Sequence, residues 1–281
     1  MAGDLQWFSA SIFAVFGLLI GSFLNVVVYR FPKMLELQWA NECAELSGDT
    51  QKETAPFNLM VPRSRCPHCG HQIHWSENVP VLSYLALQGR CSACKAPIGA
   101  RYPVVEVVAS ALFFYCGWRW GTTAQGMVWC VFAAVLLALG LIDWDTTLLP
   151  DDLTLPLLWL GLLSAAMNWT PVDLNSAFWG ALGGYVSLWS VYWAFKLVTG
   201  KEGMGYGDFK LFAALGVWFG WQTLIPIILL ASVIGAVVGI TMKFTTGLRE
   251  GGYVPFGPFL AGAGFAALFL GTSTLQRFVG L

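Results

Sequence analysis

Charge is what this sequence has least of. Only 11% of its 281 residues are Asp, Glu, Lys or Arg, and 57% are hydrophobic, whereas soluble domains carry about 25% charged residues. Mean hydropathy is +0.64. That balance excludes an ordinary soluble globule. A net charge of −1 gives no basis for nucleic-acid binding, which needs clustered Lys and Arg. A secretory signal is also missing. The leading MAGDLQWFSAS is acidic rather than basic, and no small-residue cleavage site follows the first apolar run, so this run is expected to be retained as a helix. There is no strand followed by a Gly-rich nucleotide fingerprint, no internal repeat and no low-complexity tract.

What the chain does have is a series of apolar runs, many near the roughly 17–25 residues that cross a bilayer as a helix. They predict an all-α polytopic membrane protein with about eight transmembrane helices, at 8–29, 103–119, 125–142, 153–168, 175–197, 209–221, 223–243 and 255–271. The sixth is short, and Pro226 sits awkwardly at the start of the seventh. Basic residues follow the first span at Arg30 and Lys33, which puts the N-terminus outside and 30–102, 143–152, 198–208 and 244–254 inside. Of 15 Lys and Arg, only Arg119 and Arg277 fall near outside ends, as the positive-inside rule requires. Three regions follow: 1–30, the first helix; 31–102, a polar cytosolic insert; and 103–281, a seven-helix membrane domain.

The insert is about 70 residues long, marginal for a core of its own, so a metal staple is expected. It contains CPHCGHQIHWSENVPVLSYLALQGRCSAC. Cys66 and Cys69 form one C-x2-C knuckle and Cys91 and Cys94 another, a donor set suited to tetrahedral Zn²⁺. Four thiolates leave no position for water, so the metal would be structural. Two disulfides are the alternative, disfavoured in a reducing cytosol. His68, His71 and His74 lie close enough to compete as ligands, although all-Cys ligation is expected. Cys43, Cys116 and Cys130 have no partner by spacing, and the last two read as small apolar packing groups.

Acidic residues gather where the third predicted span ends, LALGLIDWDTTLLPDDLTLP. Asp143 follows an unbroken apolar run and should sit at the inner interface. Asp151 and Asp152 precede the next run and read as carboxylates at a helix N-terminus. Asp145 reads as an interfacial acid. A second acid, Asp208, lies in GMGYGDFK between two apolar runs. The alternation of spans puts Asp143 and Asp208 on the same face, 65 residues apart in sequence. Two carboxylates in a low-dielectric site share a proton, the arrangement of an aspartic protease: one activates water while the other polarises the scissile carbonyl. Lys210 is placed to moderate their charge. Gly203, Gly205 and Gly207 are expected to give a substrate backbone clearance beside Asp208. A plain inter-helix turn, a proton- or cation-coupled transporter and a zinc-ribbon scaffold are the other readings. The transporter lacks mid-membrane acids and repeated halves; the scaffold leaves the aspartate motifs without a role.

Together these motifs resemble the type IV prepilin peptidases. GMGYGDFK is similar to that family's GxGD aspartyl motif, and LIDWDTTLLPD to the segment carrying its other catalytic Asp. GSFLNVVVYRFP at 21–32 resembles the N-terminal signature; the paired CxxC insert and QGRCSACKAPIGARYPVVE at 88–106 follow in the family's order. The resemblance spans nearly the whole chain. It implies a bifunctional enzyme of the bacterial inner membrane. Such an enzyme cuts the basic leader from type IV prepilins or type II secretion pseudopilins on the cytosolic side, typically after Gly and before Phe. It then methylates the new N-terminal amine with S-adenosylmethionine. The resemblance implies Asp143, rather than Asp145, and Asp208 as the catalytic pair. It associates methyl transfer with the N-terminal half, where Asn25, Arg30, Arg101 and Glu106 are the polar residues to follow. Glu106 is expected to contact the new ammonium or the donor sulfonium, or to pair with Arg101.

Overall fold

A computed structural model describes residues 2–48, 56–245, 254–278 and 280. Most of the predicted inside segment 244–254 therefore lies outside the described residues. Within the described residues the chain is all-helical, and its only β features are two isolated bridges. The helices are α1 Ala2–Ser47, α2 Leu82–Ala86, α3 Arg101–Trp120, α4 Ala124–Thr146, α5 Asp151–Ala166, α6 Leu174–Thr199, α7 Tyr206–Phe219, α8 Leu224–Thr245, α9 Gly257–Leu270 and α10 Thr272–Phe278. Each of the eight predicted apolar runs is helical. Three stretches, Gln6–Ser47, Ala124–Thr146 and Trp221–Thr245, are long and apolar enough to cross a membrane; Gly257–Leu270 is a shorter apolar helix. The largest difference from the sequence reading is α1, which continues well past residue 29 through Pro32 to Ser47. Lys33–Ser47 is rich in strong helix formers, and Pro32 removes a single donor without stopping the helix.

The chain forms two compact units, Met1–Cys130 and Val131–Leu281. In the first, α1 and α3 are antiparallel in one register. Ala10 faces Gly117, Gly17 faces Ser110, Gly21 faces Glu106, and the Asn25 side chain donates to the Tyr102 carbonyl at 3.1 Å. A Cβ on Gly17 or Gly21 would come within 2.7 Å of the facing Cα. The glycines thus let the backbones meet, as small residues do between membrane helices. Ser110 Oγ donates to the Ala14 carbonyl across the pair at 2.9 Å.

In the second unit α7 is the central rod. All of its residues from Asp208 to Phe219 are buried except Lys210. At about 1.5 Å per residue its 14 residues reach about 21 Å, short of the roughly 30 Å of hydrocarbon, so its neighbours complete its burial. The backbones of α6 and α7 abut where Gly180 meets Gly216. Gly161 on α5 leaves room for Trp218, whose indole N–H donates to the Leu157 carbonyl at 3.0 Å. Phe132 packs on Trp218 with centroids 4.8 Å apart. Next to the start of α7, Tyr192, Tyr206 and Phe209 cluster with centroids 5.2–5.6 Å apart.

Candidate active site and metal centre

Asp143 is on the last turn of α4, and Asp208 is on the first turn of α7; both are buried, at 4% and 3% exposure. Leu149 lies against Gly207, which precedes Asp208, and against Gly257, which abuts the Asp143 carboxyl, so the fold sets the two acids singled out in the sequence in one neighbourhood. Asp208 Oδ2 accepts the Gly205 N–H at 3.1 Å. This is half of a capping box, since Gly205 has no side chain to reciprocate. The bond orients the carboxyl, and the helix N-terminus favours an acid there. Asp145, two residues from Asp143, is exposed.

Three neighbours differ from expectation. The Lys210 ammonium lies on the Asp151 carboxylate, at 2.7 and 2.6 Å, so it clamps α7 to α5 rather than tempering the aspartate pair. Asp151 is therefore an ion-pair partner as well as an acid at the α5 N-terminus. The three glycines of GMGYGDFK are not equivalent. A Cβ on Gly203 would meet the Phe195 ring at 3.0 Å, and one on Gly207 would meet Leu149 Cβ at 2.6 Å. Only Gly205 has room for a side-chain atom, with Asp208 Oδ2 the nearest neighbour at 3.8 Å. Of the three, only Gly205 keeps the room expected beside Asp208. Sequence reasoning also missed Gly257, where a Cβ would lie 2.5 Å from Asp143 Oδ2. The only sequence signal was a glycine between prolines, PFGP, opening an apolar run.

In the first unit the four thiols of Cys66, Cys69, Cys91 and Cys94 all lie within 4.8 Å of one another, and no described cysteine is in a disulfide. The Cys66–Cys94 and Cys69–Cys91 sulfurs are 3.8 and 4.0 Å apart. A tetrahedron with Zn–S bonds of about 2.3 Å has edges of about 3.8 Å, so the donor set fits that ion. The two knuckles are built alike. Each begins beside an isolated bridge, Arg65–Gln72 or Arg90–Pro97, and turns on a left-handed residue, Gly70 or Lys95. The N–H groups of Cys69 and His68 lower the Cys66 thiol to about 7, and those of Cys94 and Ala93 lower Cys91. Such thiols give up their protons readily to a cation. At Cys69 the His71 N–H pulls down, but burial and the neighbouring thiols outweigh it, and the group is raised to about 11. None of the three histidines is in the cluster; His71 Nε2 instead meets Glu77 at 3.2 Å and Ser92 at 3.3 Å.

The polar residues flagged for methyl transfer have structural partners. Arg30 is buried and donates to the Asn58 carbonyl at 3.0 Å. Glu106, also buried, accepts the Val81 N–H at 2.7 Å. Both tie the insert to the helices of its own unit.

Comparison with known proteins divides the chain as the fold does. Residues 15–120 match the bacterial peptidase A24 N-terminal domain, and residues 130–240 match the type IV leader peptidase family. A prepilin leader peptidase/N-methyltransferase of Pseudomonas aeruginosa is 52% identical over 268 residues, covering 94% of this chain and 92% of its own. Its counterpart in Stutzerimonas stutzeri is 52% identical, over 92% and 89%. That of Aeromonas hydrophila is 50% identical, over 99% and 97%. No solved structure matches. With half its residues shared over nearly its full length and both domain models matched in order, the chain belongs to the type IV leader peptidase family.

Proposed function

We infer that this chain removes the leader peptide from type IV prepilins and then N-methylates the new N-terminal residue. The observation that supports the peptidase half is the burial of Asp143 and Asp208 around the same turn at Leu149, in a family whose members are leader peptidases. The pair holds one proton, because a shared buried site disfavours two carboxylate charges. The ionised member takes a proton from water as the oxygen attacks the scissile carbonyl; the protonated member hydrogen-bonds the carbonyl oxygen. When the tetrahedral adduct collapses, the C–N bond breaks and a proton passes to the leaving amine. Gly205 gives the substrate backbone its approach to Asp208. The freed amine, once deprotonated, takes a methyl group from the sulfonium of S-adenosylmethionine.

Zn²⁺ held by Cys66, Cys69, Cys91 and Cys94 would supply folding energy rather than chemistry, since four thiolates complete its coordination. We read the eight apolar runs as crossings of the bacterial inner membrane, with the division into 1–30, 31–102 and 103–281; the apolar pattern of the sequence supports this reading. The distribution of Lys and Arg supports cleavage on the cytosolic side. Prepilins and type II secretion pseudopilins are the substrates, typically with Phe at the new terminus.

The test is to incubate purified full-length protein with a prepilin and S-adenosylmethionine and weigh the products. Wild type should lose the leader and gain one methyl. Asp143→Asn and Asp208→Asn should leave the leader attached, yet methylate a synthetic peptide that already begins at the mature N-terminus. Normal cleavage by both variants would sink the catalytic assignment.

A further inference from the structure

The turn from α4 to α5, Thr147–Pro150, begins on the backbone of Asp143. Thr147 sits at φ +58 and donates its N–H to the Asp143 carbonyl at 2.9 Å. Two residues on, Leu149 meets glycines from two other elements. A Cβ on Gly207 would lie 2.6 Å from Leu149 Cβ and 3.3 Å from both its Cδ1 and its carbonyl oxygen. A Cβ on Gly257 would lie 3.1 Å from Leu149 Cδ1, 2.5 Å from Asp143 Oδ2 and 3.0 Å from Asp143 Cγ. Neither glycine has a positive φ, so what each supplies is room, not a backbone conformation. Gly207 immediately precedes Asp208, and Gly257 opens α9. One leucine therefore fills the side-chain space at Gly207 and shares with the Asp143 carboxyl the space at Gly257. Beyond it, the Lys210–Asp151 ion pair joins the starts of α7 and α5.

We propose that Leu149 is a positioning residue: seated in the notches of Gly207 and Gly257, it sets where Asp143 stands relative to Asp208. The proposal rests on the reading of these two aspartates as the catalytic pair. Leu149 brings no reacting group. Its effect is geometric, and dyad chemistry is sensitive to geometry, because a displacement of about 1 Å can cost on the order of 100-fold in rate. The notches also define which shapes are tolerated. A branch at Cβ would add an atom where Leu149 already crowds Gly207, whereas an unbranched side chain of similar volume can reach both notches.

The experiment uses purified full-length enzyme with two substrates: a prepilin for cleavage, and a peptide beginning at the mature N-terminus for methyl transfer. Leu149→Met should retain cleavage within about twofold. Leu149→Ile, Leu149→Ala and Gly257→Ala should each lower the kcat of cleavage by roughly 10- to 100-fold with KM little changed. Methyl transfer should persist in all of them. Asp143→Asn runs alongside. If Asp143→Asn cleaves normally, the catalytic reading fails and the spacer with it. If Asp143→Asn is inactive while Leu149→Ile and Gly257→Ala keep wild-type kcat, the spacer alone is refuted. Parallel loss of both activities, or an equal loss in Leu149→Met, also overturns it in favour of general packing.

Discussion

Glu106→Leu offers a quantitative test of how the insert is held. The Glu106 carboxylate accepts the Val81 N–H at 2.7 Å, and Val81 is at φ 59, ψ −48, with the Leu82 N–H on the Pro80 carbonyl. This is a γ-turn in its rare, left-handed form, adopted by a β-branched residue for which positive φ is unusual. Such a conformation costs on the order of 1–3 kcal/mol. A hydrogen bond to a charged acceptor contributes about 1.5–3 kcal/mol, so the bond and the strain are nearly matched. Without the carboxylate, the turn should open locally while the helices hold. The same 1.5–3 kcal/mol corresponds to a rise of about 10- to 140-fold in amide exchange over Val79–Ser83, measured by hydrogen exchange and mass spectrometry. Glu106→Gln, which keeps an acceptor, should show a smaller rise. Val81→Gly accepts positive φ freely, so adding Glu106→Leu to it should accelerate exchange much less than in the wild type. Unchanged exchange in Glu106→Leu would refute the clasp. Normal cleavage and methylation by Glu106→Gln would remove this residue from methyl-transfer chemistry.

Metal analysis should find about one zinc per chain; chelation or Cys66→Ser should lower the melting temperature and impair folding or methylation more than cleavage. A chelator that stops cleavage first, with the fold intact, would contradict a structural metal. Gly205→Ala has room for its methyl group and a compatible φ of −83. Its stability should change by less than about 0.5 kcal/mol, while kcat/KM for cleavage falls about tenfold. Full activity would show that no substrate backbone passes there. Glu77 is held down to about 2, first by the Ser92 hydroxyl and then by the His74 N–H and by His71, against burial. Its unfolded value is about 4.3, so its stabilisation is present above that pH and is lost as pH falls toward 2. The stability gap between wild type and Glu77→Gln, followed by denaturant titration, should close between about pH 4 and pH 2; a constant gap would exclude the effect.

Much of the fold was legible in the residues. Helix positions followed from apolar runs, because each helix satisfies its own backbone and needs only local sequence to do so. The exception, α1, runs on past Arg30 and Lys33, where the apolar run ends, because the polar stretch that follows also favours a helix. The candidate site was legible in its acids and thiols but not in its surroundings. Lys210 was expected beside the aspartates and instead holds Asp151. Three glycines were given one role, and the fold sets them in three surroundings, against Phe195, loosely beside Asp208 and against Leu149. Glu106 was expected to meet a substrate or Arg101, and its carboxylate accepts a backbone N–H of the insert.

By itself, the sequence determined that this is an apolar helical chain with paired CxxC knuckles and two acidic motifs at span ends. These properties depend on transfer free energies and spacings measured along the chain. Only the tertiary structure decided that Asp143 and Asp208 are both buried beside the turn at Leu149, that Gly257 abuts Asp143, and that four sulfurs lie within 4.8 Å of one another. Contacts between residues far apart in sequence depend on how whole helices pack. A glycine at such a contact records only that space is needed, not what fills it.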